Sequence, residues 1–110
     1  MKLKHFALCL PVLFYGSVGY AAPDAAKVND ILKTNNCLAC HSVDTKVVGP
    51  SYKEIAAKYK GDADEAAQMA TRIKKGSSGV WGPIPMPPNP GISEEDVKTV
   101  VDWIMAGAPQ

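Results

Sequence analysis

The sequence predicts an all-α domain of about four helices, and three observations carry that prediction. Apolar residues recur at helical spacing in four separate stretches, and each stretch is preceded by a Ser or Asp suited to capping a helix. No stretch alternates apolar and polar residues as a half-buried strand does. The segments between the stretches are polar or proline-rich, and no internal repeat is visible.

Each helix has its own signals. Asp24 caps the first, which sets Val28, Ile31 and Leu32 on one face and ends near Asn35 and Asn36. Ser51 opens the second with Glu54 three residues on, a capping box, followed by a stripe of Tyr52, Ile55, Ala56 and Tyr59. Asp62 and Glu65 take the cap and return positions of the third. Its stripe is Ala66, Met69, Ala70 and Ile73, and Gly76 stands where the helix stops. Ser93 caps the fourth, with Asp96 three residues on, a stripe of Val97, Val100, Val101 and Ile104, and Gly107 at its close.

Two stretches are not helical. Residues 42–50, SVDTKVVGP, form a loop, and so do residues 76–92, GSSGVWGPIPMPPNPGI, which hold five of the nine prolines. Long irregular loops in small domains tend to be functional. Prolines at 83, 85, 87, 88 and 90 fix φ at each position, so this loop is stiff.

Ahead of the first helix, the chain opens MKLKH, runs apolar through FALCLPVLFYGSVG and reaches small residues in GYAA. That order reads as an export signal, residues 1–21, with cleavage after Ala21, and Cys9 is one of its apolar residues. The apolar run is too short and too interrupted to span a membrane. A domain of 89 residues, 22–110, is then left of the 110. Lys2 and Lys4 leave with the signal, so 12 basic residues become 10 against 11 acidic ones, a net charge of −1. No basic patch is present, which excludes nucleic acid as a partner. So small a domain needs something beyond its side chains to fill its core. Cys37 and Cys40 are too close together for a disulfide between them to clamp the fold.

The stretch CLACH, residues 37–41, admits three chemistries. A redox dithiol wants a strand–helix fold that this chain does not offer. A structural zinc wants four ligands, and only two cysteines and one histidine remain after the signal. The third is a covalent haem, with Cys37 and Cys40 as thioethers and His41 on the iron; C-x-x-C-H is the attachment signature of c-type haem. The haem would also supply the large apolar body that the domain lacks.

The second axial ligand then decides the function. No other histidine is left, and a lysine would need a depressed pKa. Met69 and Met105 lie in helical stretches, where packing is their ordinary use. Met86 stands alone between prolines in GPIPMPPNP, 45 residues beyond His41, and is the expected ligand on the opposite face. A soft thioether favours ferrous iron, and two permanent ligands suit electron transfer rather than catalysis.

CLACH, TKVVGPSYKEIAAKY and RIKKGSSGVWGPIPMPPN together resemble the small bacterial cytochromes of the c-551/c-552 type, also called cytochrome c8. The likeness runs from about Val28 to Met105. It implies the class I cytochrome c fold, about four helices wrapped around one covalently bound haem c, with Cys37 and Cys40 as attachment points and His41 and Met86 as axial ligands. It also implies that the Pro50 carbonyl accepts the His41 ring N–H, that Arg72 and Trp81 hydrogen-bond a haem propionate, and that Asn89 lies near the methionine sulfur. By themselves the residues equally allow Trp81 to pack on the haem and Asn89 to serve as a turn residue. Pro90-Gly91 and the uncharged AGAPQ terminus depart from the family pattern.

The expected function is that of a monomeric, non-enzymatic periplasmic electron carrier. The family implies transient redox partners: a bc1-type complex as donor, and nitrite reductase or a terminal oxidase as acceptor. Val47, Val48, Ile84 and Pro85, with Lys46 and Lys53 nearby, are the expected rim of the docking face. A haem sensor or peroxidase with a displaceable sixth ligand is the alternative. The proline lock opposes it, and so does the lack of a distal acid–base histidine.

Overall fold

The computed structural model describes residues 9–11 and 22–110, so most of the export signal assigned to residues 1–21 lies outside the described residues. Four helices follow in order: α1 (Ala25–Thr34), α2 (Tyr52–Lys58), α3 (Ala63–Lys75) and α4 (Glu94–Met105). Among the described residues there is no strand, only isolated bridges pairing His41 with Lys46 and Ser77 with Met86.

The four expected caps form. The Asp24 carboxylate accepts from the Ala26 N–H at 3.0 Å and the Ser93 hydroxyl from the Asp96 N–H at 3.1 Å. At α2 the box closes both ways, with the Glu54 N–H donating to Ser51 Oγ at 3.1 Å and the Ser51 N–H to Glu54 Oε2 at 2.9 Å. Each such contact satisfies an orphan amide of a first helical turn, and losing one costs about 1 kcal/mol. At α3 only half of the box forms. Asp62 accepts from the Glu65 N–H at 3.1 Å, but the Glu65 side chain turns away and pairs with Arg72, two turns further along the same helix.

One element escapes the periodicity. Cys37–Ala39 form a single 3₁₀ turn, entered through Asn36 in the left-handed region at φ 62°. That turn is set by the neighbouring structure and has no apolar repeat to announce it.

α4 packs against α1, α2 and α3 and is the hub of the core. Its buried face includes Val97, Val100, Val101 and Ile104 as expected, and also Trp103, which is 2 % exposed. Trp103 donates its indole N–H to the Pro109 carbonyl at 2.8 Å, folding the C-terminal residues back onto the helix. Ile92, from the proline-rich loop, joins the same core.

Candidate haem site

A cavity of about 410 Å³ opens beside this core, and all four helices build it. Leu32 from α1, Ile55 from α2, Met69 and Ile73 from α3, and Val100 and Ile104 from α4 form apolar lining, while the loops 42–50 and 76–92 supply the rest. Cys37, Cys40, His41 and Met86 all line it. So do Pro50, Arg72, Trp81 and Asn89, so every site residue expected from the sequence meets in one place.

His41 is fixed by its own neighbourhood. Its Nδ1 lies 2.7 Å from the Pro50 carbonyl oxygen. A carbonyl only accepts, so Nδ1 carries the proton and Nε2 keeps its lone pair for a metal. The Pro50 carbonyl arrives there because the Val48 and Gly49 N–H groups both donate to the Cys40 carbonyl, at 3.2 and 2.8 Å. Gly49 permits the close approach: a Cβ there would stand 2.6 Å from His41 Cε1. Beyond the loop, the Tyr52 and Lys53 N–H groups at the start of α2 donate to the Ser42 and Val43 carbonyls.

Met86 is fixed by distant partners. Its N–H donates to the Ser77 carbonyl at 2.8 Å, and its carbonyl accepts the Ser77 N–H at 3.0 Å. Gly76, which ends α3 at φ 78°, lets these backbones pass; a Cβ there would meet Met86 O at 2.7 Å and Pro88 N at 2.9 Å. Asn89 donates its backbone N–H to the Ile73 and Lys74 carbonyls, each at 3.2 Å, and its side-chain amide to the Ile73 carbonyl at 3.1 Å. Asn89 therefore spends its amide on the free carbonyls at the end of α3. The Lys74 ammonium donates to the Ile92 carbonyl at 2.5 Å where the loop leaves. Of the other methionines, Met69 lies in the core and also lines the cavity, whereas Met105 packs against the core away from it.

The polar wall is layered. Arg72 ion-pairs with the buried Glu65, and its guanidinium lies 5.8 Å from the Tyr59 ring centre. Tyr59 meets Trp81 edge-on at 6.1 Å, and the Lys58 ammonium stands 4.4 Å over Trp81. Glu65 was legible only as a cap partner; the i, i+7 spacing to Arg72 is the signal that would have revealed this contact.

No disulfide joins Cys37 and Cys40. Burial pushes the Cys37 thiol above its ordinary range, with a backbone hydrogen bond partly offsetting this. Tyr52 reaches the cavity from α2 and was expected only as a core residue. Its hydroxyl is buried without a partner. Burial raises its pKa well above the ordinary phenol value, and the nearby Cys37 and Cys40 add to the shift. A largely apolar cavity with two cysteine sulfurs, an imidazole holding a free lone pair, a thioether and an unsatisfied buried hydroxyl fits haem c in donor chemistry.

The model of the cytochrome c family matches residues 25–108. Cytochrome c-552 of Nitrosomonas europaea is 58 % identical over 87 residues, covering 79 % of this chain and 81 % of the relative. Cytochrome c-551 of Pseudomonas aeruginosa is 44 % identical over 104 residues, covering 94 % of this chain and 98 % of the relative. The crystal structure of wild-type Nitrosomonas europaea cytochrome c552 superposes with a TM-score of 0.68 at 57 % identity, over 72 % of this chain and 98 % of that one. A class 1 cytochrome from Sideroxydans lithotrophicus ES-1 gives 0.65 at 32 % identity, over 77 % and 97 %. With CLACH on the cavity wall and these likenesses around it, the chain belongs to the cytochrome c family, in its class I c-551/c-552 group of small electron-transfer proteins with covalent haem c.

Proposed function

We propose that this protein carries single electrons in the periplasm between a bc1-type donor and an acceptor such as nitrite reductase or a terminal oxidase. In this reading residues 1–21 direct export and are removed, leaving 22–110. Cys37 and Cys40 would anchor the haem as thioethers, and His41 and Met86 would supply the ligands to its iron. The haem supplies the one-electron iron couple. The chain's own part is to hold both ligands still, so that little rearranges when an electron arrives, and to keep water out.

The observation that carries this reading is the double restraint on the ligands. His41 has its ring set by the Pro50 carbonyl, and Met86 has both its N–H and its carbonyl bound to Ser77. A ligand meant to be displaced would not be pinned at both backbone groups. Arg72 and Trp81, on the polar wall, are the candidates to receive a haem carboxylate, and Asn89 holds the loop that presents Met86.

Exposed apolar side chains on the cavity wall support docking there. Val47 (53 % exposed), Val48 and Ile84 (63 %) all line the cavity, and Lys46 lies beside them. A small apolar patch with a few charges suits weak, rapidly exchanging encounters by a monomer. Among the described residues no helix is long and apolar enough to cross a membrane.

The test is the visible spectrum of the matured protein, oxidised and reduced, before and after carbon monoxide is added. Covalent low-spin haem with the weak ferric sulfur-to-iron band, and no response to carbon monoxide at neutral pH, is the expected result. A rapid spectral shift in the reduced protein means an open sixth position and replaces the carrier with a sensor or peroxidase.

A further inference from the structure

Tyr52 is 3 % exposed, lines the haem cavity, and carries a hydroxyl with no hydrogen-bond partner. Leaving such a group unpaired costs about 1–3 kcal/mol, and native interiors rarely do so. The ring cannot swing out to find water. It is packed 5.3 Å from the His41 ring on one side and 5.3 Å edge-on from Trp103 on the other. Neither neighbour has a polar atom to spare: His41 Nδ1 is taken by the Pro50 carbonyl, its Nε2 is kept for the iron in the proposed reading, and the Trp103 N–H is taken by the Pro109 carbonyl. The partner therefore has to come with whatever fills the cavity.

The position of the phenol indicates which part of the haem that is. Its ring packs against that of His41, the residue directly after Cys40, and Tyr52 lines the same cavity as both cysteines, so it stands on the side of the attachment sulfurs. In the free protein, Cys37 Sγ acts as a weak donor to the Asn35 carbonyl at 3.8 Å. Attachment adds each S–H across a vinyl double bond. A carbon–sulfur bond forms, the hydrogen passes to the other vinyl carbon, and no electron leaves the system. The sulfur that remains can accept a hydrogen bond but can no longer donate one.

We propose that the Tyr52 hydroxyl donates a hydrogen bond to a thioether sulfur of the attached haem, and so biases the iron toward its reduced state. A donor aimed at the sulfur draws electron density from the macrocycle, and hydrogen bonding around the cofactor is one of the protein's means of setting its potential. Tyr52 is then a positioning and tuning residue. The inference rests on the thioether assignment of Cys37 and Cys40.

The test compares haem-loaded wild type with Tyr52→Phe, which keeps the ring and its packing and removes only the oxygen. Both chains are first denatured to confirm that the haem stays attached; haem that comes free from wild type defeats the attachment reading itself. With attachment confirmed, the ratio of reduced to oxidised protein at a fixed applied potential is expected to fall about threefold in the variant, or about 28 mV at 59 mV per tenfold. In the reduced, diamagnetic wild type, proton NMR is expected to show one slowly exchanging hydroxyl proton at Tyr52. An unchanged or higher ratio overturns the proposal whatever happens to stability. A Tyr52 hydroxyl proton exchanging at the solvent rate overturns it as well, and that measurement needs no variant to fold.

Discussion

The two loops that meet over the haem cavity hold the proposed ligands, His41 and Met86, by opposite strategies. The loop after CLACH is closed locally. Cys40 accepts from Val48 and Gly49, and His41 reaches Pro50, so the hydrogen-bond partners of His41 lie within ten residues of it. The proline-rich loop is closed at a distance. Gly76 and Ser77 receive Met86, Asn89 reaches back to Ile73 and Lys74, and Lys74 reaches forward to Ile92. In the proposed arrangement His41 adjoins a covalent anchor and needs only its ring aimed. The methionine has no anchor of its own, so its placement depends on where α3 ends. A change that loosens the end of α3 is therefore expected to free the distal side and leave the proximal side intact.

Gly76→Ala tests this most severely. Its Cβ would stand 2.7 Å from a backbone oxygen that cannot rotate away, at a φ of 78° that side chains avoid. Strain of this kind costs about 1–3 kcal/mol before the clash is counted. The expected outcome is loss of the sulfur-to-iron band and rapid carbon monoxide binding by the reduced protein, with the haem still covalently attached. Gly49→Ala is the proximal counterpart. Here the added carbon meets the His41 ring at 2.6 Å, a side chain able to tilt. The smaller expected loss, about 1–2 kcal/mol in denaturant unfolding, is that of one strained hydrogen bond at Nδ1. Proton NMR of the reduced protein would show it as a shifted His41 ring N–H, with the Met86 methyl signal unchanged. Asn89→Ala is the mildest. It deprives the Ile73 carbonyl of one of its two Asn89 donors, which is worth about 1 kcal/mol. Stopped-flow mixing with carbon monoxide should detect faster opening of the distal side, whereas the His41 ring N–H should not move. Equal effects on both ligands in any of the three would dissolve the distinction between the loops.

The same contrast explains what could be read from the sequence. Caps at Asp24, Ser51, Asp62 and Ser93 are contacts over two or three residues, and those positions announce them. CLACH and the isolated Met86 were legible because their spacing or setting is unusual for packing alone. Glu65 meets the cap through its N–H alone; in the sequence an acid at the return position looks the same whether or not an arginine waits two turns on. Trp103 extends the α4 stripe by one step and was passed over; its burial depends on Pro109 folding back to accept its N–H. The 3₁₀ turn at Cys37–Ala39 and the burial of Ile92 are consequences of tertiary contacts, and neither leaves a periodic trace.

The partner of His41 Nδ1 is a main-chain carbonyl, and this shapes what a mutational survey of the protein would find. Every residue at position 50 has that carbonyl, so no side-chain truncation there deletes the contact. A scan by alanine would score the orientation of the proximal ligand as unimportant. Its sensitivity would surface at a neighbour, Gly49, where adding a methyl group does the damage that removing atoms cannot.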